Sequence, residues 1–233
     1  MIAVVIPTCN HHYTPPDYGS IPVIVIRDDR GRGFAKSCNI GIAKAQEQGF
    51  SWVVVCNDDI EFPLSDLSEL IHQVREETGA ISPLIVDDQG VEYSGLAVSK
   101  WGRVRMIQSQ ESIAPDSAFG TCMLIPSWAR FDDQYIHGFE DIALCALLRN
   151  RGRKIAVCRS ARCRHDGGGT IMHHTRTWFA RSIYGHLRYF SSPALSGIIV
   201  GLGLLQARDS IENIKGVWEG YTLWKNQRSS STT

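Results

Sequence analysis

An α/β fold is predicted for this chain of 233 residues: an open, mostly parallel sheet flanked by helices, with a helical C-terminal extension. Three observations lead there. Short β-branched runs alternate with segments of helical spacing through the first half. Residues after the Gly-rich stretch near 167 have mostly helical composition. With 43% hydrophobic and 21% charged residues, the chain is neither disordered nor collagenous, and it is long enough to bury a core without staples.

Each element follows from local chemistry. Ile2–Ile6 is a buried strand ended by Pro7. His11–Ser20 holds Pro15, Pro16 and Gly19 and reads as loop. Val23–Ile26 is a second strand ending in Asp28 and Asp29. Phe34–Gln48 is a helix stopped by Gly49, with Phe34, Cys38, Ile42 and Ala45 at helical spacing. Trp52–Cys56 is a third strand with Asn57-Asp58-Asp59 just past its end. An amphipathic helix over Leu64–Glu77 and a strand at Ile81–Val86 follow. Val91–Gln110 alternates short strands and turns, Cys122–Ile125 is a strand, and Phe131–Phe139 is a loop. Glu140-Asp141 open a helix to about Asn150, and Lys154–Cys158 is a strand. His165–Thr170 reads as a loop because of Gly167–Gly169. No internal repeat is present.

The cysteine count is seven, odd and without a CxxC pair, which argues against a disulfide scaffold or a zinc site and suits a reducing cytosol. The N-terminus MIAVVIPTCN lacks the basic region and cleavage site of a signal peptide. Tyr189–Ala207 is uncharged but broken by Pro193, Ser and Gly, a poor membrane span that suits an interfacial or buried segment.

Three groups carry chemistry. Adjacent carboxylates at Asp58 and Asp59 repel unless a cation neutralises them, and hard oxygen ligands suit Mg²⁺ or Mn²⁺ bridging to a diphosphate. Taken alone, the trio with Asn57 equally suits a solvated turn. Glu140 and Asp141 are candidates for a general base or for a helix cap. His165 offers a nitrogen ligand beside glycines that admit phosphate, or is simply a surface residue. His11, His12, His173 and His174 lack such surroundings and read as surface.

The motifs occur in the order VVIPTCN, GFAKSCNIGIAKA, NDDI, FGTCMLIPSW, FEDIALC and HDGGGT. Together they resemble glycosyltransferase family 2, of the GT-A fold (nucleotide-diphospho-sugar transferases), and within it the rhamnosyltransferase-like and galactofuranosyltransferase-like members. The resemblance covers roughly residues 1–170, and more weakly IKGVWEGY near the C-terminus. It implies that Asn57-Asp58-Asp59 is the DXD-like motif, with Asp59 on the divalent metal and Asp58 on ribose or the metal's water shell. Pro7, Thr8, Asn10 and Asn39 fall in the donor-binding set. Asp141 matches the catalytic base, Glu140 orients the acceptor, and His165 completes the metal or diphosphate site.

Two departures stand out. Only about a dozen residues separate Asn10 from Val23, too few for the helix and strand that the family places there, so Asp28 or Asp29 is the remaining candidate for reading base or ribose. In the family's EDxDLCxR pattern, Ala143 and Leu147 replace the second Asp and the Arg, so both members of an i,i+4 ion pair are missing together.

The implied activity is inverting, metal-dependent transfer from a nucleoside-diphosphate sugar (UDP- or dTDP-linked) to a hydroxyl of a glycan or lipid-linked acceptor, with Mn²⁺ or Mg²⁺. Alternatives are the same chemistry on a nucleic-acid or protein acceptor, a non-catalytic sugar-nucleotide or glycan-binding module, and a two-carboxylate glycosidase, the last disfavoured because its acids would flank a sugar. The zero net charge hides a division: residues 1–141 hold 10 Lys+Arg against 20 Asp+Glu, and the rest hold 14 against 4. Arg149–Arg188 carries ten basic residues and one acid, which suits a diphosphate or lipid-phosphate surface, a nucleic-acid surface, or a solvated face. Leu195, Ile198, Ile199, Leu202 and Leu205 share a helical face, and Trp218, Tyr221 and Trp224 recur every three residues. These suit peripheral contact with the inner face of a membrane, a dimer partner, or packing within the chain. The expected organisation is a catalytic domain over 1–175, a helical extension over 176–228 and a frayed tail over 229–233, in the cytoplasm.

Overall fold

The computed structural model describes residues 1–99, 104–135, 138–165, 176–190 and 193–230. They fall into two compact units, Met1–Ile136 with Glu140–Gly167, and His137–Phe139 with Gly168–Thr233. His173, His174 and the Gly167–Gly169 stretch lie outside the described residues.

The first unit is built on one mixed sheet. Its elements are β1 (Ile2–Thr8), β2 (Val23–Arg27), α1 (Phe34–Glu47), β3 (Trp52–Cys56), β4 (Ile60–Glu61), α2 (Leu64–His72), β5 (Thr78–Val86), β6 (Glu92–Val98), β7 (Val104–Gln108), β8 (Cys122–Pro126), α3 (Glu140–Asn150) and β9 (Lys154–His165). The order β2-β1-β3-β8-β5-β6-β7 runs across the sheet, while β9 pairs with β5 and β4. Strands β1, β2 and β3 are parallel, as the alternation predicts. β8 then enters antiparallel to both β3 and β5, so the parallel order is interrupted at the centre.

The central strands are buried on both faces, which is why they read as unbroken apolar runs: Ala3, Val4, Val5, Val53, Val54 and Val55 have no exposed surface. One face packs on α1 through Ala35, Cys38, Ile42 and Ala45, and on α3 through Leu144, Cys145 and Leu148. α1 lies close because Gly41 has no side chain; a Cβ there would sit 2.3 Å from Val5 Cγ1. Pro7 is tolerated because β1 pairs with β3 only as far as Val5, leaving Pro7 opposite Ile26 of β2 alone.

Three elements differ from expectation. α2 stops at His72, and a turn over residues 73–77, closed by Thr78 Oγ1 accepting from Arg75 N at 2.8 Å, replaces the rest of the predicted helix. β9 continues well past Cys158 to His165, because a register shift opposite Pro83 and Leu84 absorbs the extra residues. His165 is therefore the last residue of a strand, paired with Ile60, and not part of a loop.

The second unit contains α4 (Arg176–Phe190), α5 (Pro193–Ala207) and α6 (Ile211–Ser230). α6 reaches two residues into the Ser/Thr tail predicted to fray. α4 and α6 approach backbone to backbone: a Cβ on Gly216 or Gly220 would lie 2.2 Å from Arg176 O or 2.3 Å from Ala180 O. Arg176 binds Glu219 at 2.8 Å and Glu212 at 3.1 Å across this contact. On α5, Ile198, Leu202 and Leu205 are exposed, whereas Ile199 is buried. Trp218, Tyr221 and Trp224 form a ladder with centroids 6.0 and 5.9 Å apart. Trp224 is buried, so this stripe does not present all three rings to one medium. Among the described residues no helix is long and apolar enough to cross a membrane.

Candidate active site at the carboxyl edge of the sheet

Parallel strands β1, β2 and β3 end side by side, and each delivers polar residues to the same edge: Thr8, Asp28 and Asn57-Asp58-Asp59. Open α/β sheets bind ligands there. Thr8 is buried; its Oγ1 donates a short hydrogen bond to Asp58 Oδ2 and accepts from Asn10 N at 2.9 Å. The main chain of Asp28 donates to Thr8 O at 2.8 Å, tying the ends of β1 and β2 together.

The two acids after β2 differ. Asp28 is buried and turned into its own loop: Oδ1 accepts from Arg32 N at 2.9 Å and Arg32 Nε at 3.2 Å, and Oδ2 accepts from Gly33 N at 2.9 Å. Burial opposes its charge, but the Arg32 and Gly33 N–H groups and the Arg32 guanidinium prevail, and its pKa falls below the usual value. Asp29 is exposed and lies 3.5 Å from His11 Nδ1. Asn39 spends both ends of its amide on Phe131, donating to its carbonyl and accepting from its N–H at 2.9 Å each. It thereby holds the loop that leads towards α3.

The short β4–β9 ladder brings His165 to Asp59. His165 Nε2 lies 3.3 Å from Asp59 Oδ1. The approach lacks hydrogen-bond geometry, so Nε2 is a buried nitrogen without a hydrogen-bond partner. Such an atom is costly unless something else satisfies it. A divalent cation held by Nε2 and the half-exposed Asp59 carboxylate would meet that need. Among the described residues no group of three or more His, Cys, Asp or Glu could hold a metal. Two protein ligands are enough for an ion that keeps water and takes its remaining oxygens from substrate phosphates. The surrounding field is negative. The exposed Cys9 thiol is pushed up by burial of its sulfur and then by Asp28, Asp58 and Asp29. The half-buried Tyr13 hydroxyl rises to about 12 through burial, Cys56 and Asp58.

Asp141 stands in the first turn of α3. Its Oδ2 accepts from Gly120 N at 3.0 Å and its Oδ1 from Ile142 N at 2.8 Å. Burial raises its pKa, and the N–H groups of Gly120 and Ile142 hold back part of that rise. Glu140 beside it is buried. The residue after Gly120 completes a link to the metal-like trio: Thr121 O accepts from Asn57 N at 2.9 Å. Two consecutive residues thus grip the candidate base on one side and the start of the trio on the other. Gly120 has room for nothing larger without adjustment, since a Cβ would lie 3.3 Å from Asp141 Cβ. Neither Gly120 nor Thr121 has a side chain whose chemistry would single it out. Both lie in the FGTCM motif, and their main-chain roles appear only when β8 is set beside β3.

The sequence profile described as Glycosyl transferase family 2 matches residues 11–128, just over half of the chain. The chain belongs to glycosyltransferase family 2. Among solved structures, the fold of this family 2 chain is similar to that of GalNAc-T7 crystallised with UDP, GalNAc and Mn²⁺, with TM-score 0.54 at 15% identity over 72% of this chain and 36% of that one. It spans only about a third of that protein. A second likeness is to S. aureus TarS 1-349, with TM-score 0.47 at 13% identity over 98% of this chain and 91% of that one. No curated protein sequence matches.

Proposed function

We propose that this family 2 chain transfers a glycosyl group, with inversion, from a nucleoside-diphosphate sugar to an acceptor hydroxyl, and that Asp141 is the base. The observation that supports this reading is the Gly120–Thr121 bridge, which ties Asp141, a carboxylate of raised pKa, to the start of the Asn57-Asp58-Asp59 trio, whose Asp59 lies 3.3 Å from His165. Asp141 takes the proton of the acceptor hydroxyl as that oxygen bonds to the anomeric carbon and the bond to the diphosphate breaks. Thr8 orients Asp58 towards the donor. Asp59 and His165 would hold Mn²⁺ or Mg²⁺, which supplies Lewis-acid stabilisation of the leaving diphosphate. The GalNAc-T7 structure, crystallised with UDP and Mn²⁺, is consistent with a UDP- or dTDP-linked donor.

For the acceptor, a glycan or lipid-linked hydroxyl is favoured over nucleic acid. Much of the basic segment is spent internally: Arg149 pairs with Asp116, Lys154 with Glu77 at 3.3 Å, and Arg162 with Glu92 at 2.6 Å. The exposed Ile198, Leu202 and Leu205 support an apolar or interfacial partner.

Calorimetry with UDP and dTDP, with and without Mn²⁺, tests the donor site. Wild type is expected to bind in an Mn²⁺-dependent manner and Asp59→Ala to lose that dependence; equal affinity in both sinks the metal assignment. Asp141→Asn is expected to keep donor affinity and lose about 10²–10⁴-fold in turnover. A wild type that binds donor but transfers nothing to any acceptor would favour the non-catalytic module.

A further inference from the structure

The connection from β1 to β2 spans residues 9–22 and contains no helix or strand, although it joins two adjacent parallel strands. A crossover of this kind is ordinarily covered by a helix, whose internal hydrogen bonds satisfy its main chain. Here one side chain takes over part of that task. Arg27, at the last rung of β2 opposite Thr8, donates from Nη1 to the carbonyls of Asn10 and His11 at 2.9 Å each. Its Nη2 donates to the carbonyl of Tyr13 at 3.4 Å. The turn so held is closed by Tyr13 N donating to Asn10 O at 3.2 Å and His12 N donating to Asn10 Oδ1 at 2.9 Å. From Asn10 the chain of bonds continues through Thr8 Oγ1 to Asp58. On the other side, Arg27 O accepts from Arg32 Nη2 at 2.9 Å, joining the 28–33 loop that Asp28 organises.

We infer that Arg27 is a positioning residue for the donor: its guanidinium holds residues 10–13 in place beside Asp58, substituting for the helix that the shortened unit lacks. The inference rests on the donor-site reading above and adds to it the device that shapes the nucleoside side of that site. Tyr13, half-buried and within the field of Asp58, is the side chain that this clamp places. A planar fork can reach three carbonyls at once, whereas a lysine ammonium is a point charge on a flexible stem. Arg27→Lys therefore keeps the charge and loses the clamp, which separates positioning from simple attraction of a diphosphate.

The experiment compares wild type, Arg27→Lys and Arg105→Lys, the last a control at an exposed ion pair with Glu111 far along the chain. Binding of UDP and dTDP with Mn²⁺ is measured by calorimetry, and amide hydrogen exchange is followed over residues 9–14. Arg27→Lys is expected to bind about tenfold more weakly, to exchange faster in that segment alone, and in turnover to raise KM with kcat unchanged. Arg105→Lys is expected to match wild type in all three. Equal affinity and equal exchange in Arg27→Lys and wild type overturn the inference while leaving the donor site standing. A wild type that binds neither nucleotide overturns the donor-site reading and this inference with it.

Discussion

Asp28 is buried and Asp141 partly so, yet their pKa values move in opposite directions, and the difference is what each carboxylate meets. Asp28 meets a main-chain N–H at each oxygen and a guanidinium at Oδ1, so its charged form is favoured. Its stabilising contribution is present above the unfolded pKa and is lost as pH falls through the lowered folded value. Asp28→Ala is expected to cost about 2–3 kcal/mol at neutral pH, because it strands two N–H groups and an arginine. The deficit in urea denaturation should shrink in strong acid. Asp141 shifts upwards because burial outweighs its two N–H partners. Its contribution to stability is greatest below the unfolded pKa and is lost as pH rises through the folded value. As a base it must be deprotonated, so the acid limb of the pH–rate profile is expected to lie above the usual aspartate value. A limb unmoved by Asp141→Glu would remove Asp141 from the reaction. Gly120→Ala keeps the N–H but crowds Asp141 by a few tenths of an ångström, and it is expected to lower kcat about tenfold with little change in melting temperature. An unchanged kcat would show that the bridge does not position the base.

Between elements, close approach is set by what is missing from side chains. α4 and α6 touch through Gly216 and Gly220, where added atoms meet carbonyl oxygens that cannot move aside alone. Gly220→Ala is therefore expected to force the helices apart and destabilise the helical unit by about 1–3 kcal/mol, seen as faster proteolysis within residues 176–230. Resistance equal to wild type would mean that the helices re-pack at no cost. Both glycines lie in IKGVWEGY, a stretch the sequence singled out only by resemblance, and the helix they meet appears only in the fold. β9 teaches a related lesson. Its Cys158, Ala161 and Cys163 are buried and its arginines point outwards, yet the irregularity that joins its two halves shows only in its pairing with β5, where the register shifts between Pro83 and Leu84.

At the scale of the sheet unit, part of the division of charge along the chain closes up in space. β9 carries basic residues and lies beside β5, so Glu77 and Glu92, acids from distant segments, reach the side chains of Lys154 and Arg162, and Asp66 accepts from the main-chain N–H of Arg162. The Arg162–Glu92 pair is partly exposed and such pairs are worth about 0–1 kcal/mol, so Arg162→Gln is expected to change stability within that range. A loss several times larger would show a cooperative network. What the sequence determined by itself was the alternation of strand and helix, the buried β-branched runs, the family and the order of its motifs, because these are written in local periodicity and in residue types with distinctive chemistry. It also showed that a helix was missing after β1. Only the tertiary structure decided what stands in its place, that β8 enters antiparallel, that His165 ends a strand against Ile60, and that Gly120 and Thr121 join Asp141 to the trio. Those features rest on main-chain groups and on pairings between segments tens of residues apart. Every residue has such main-chain groups, so they leave no mark on composition or spacing until the chain is folded.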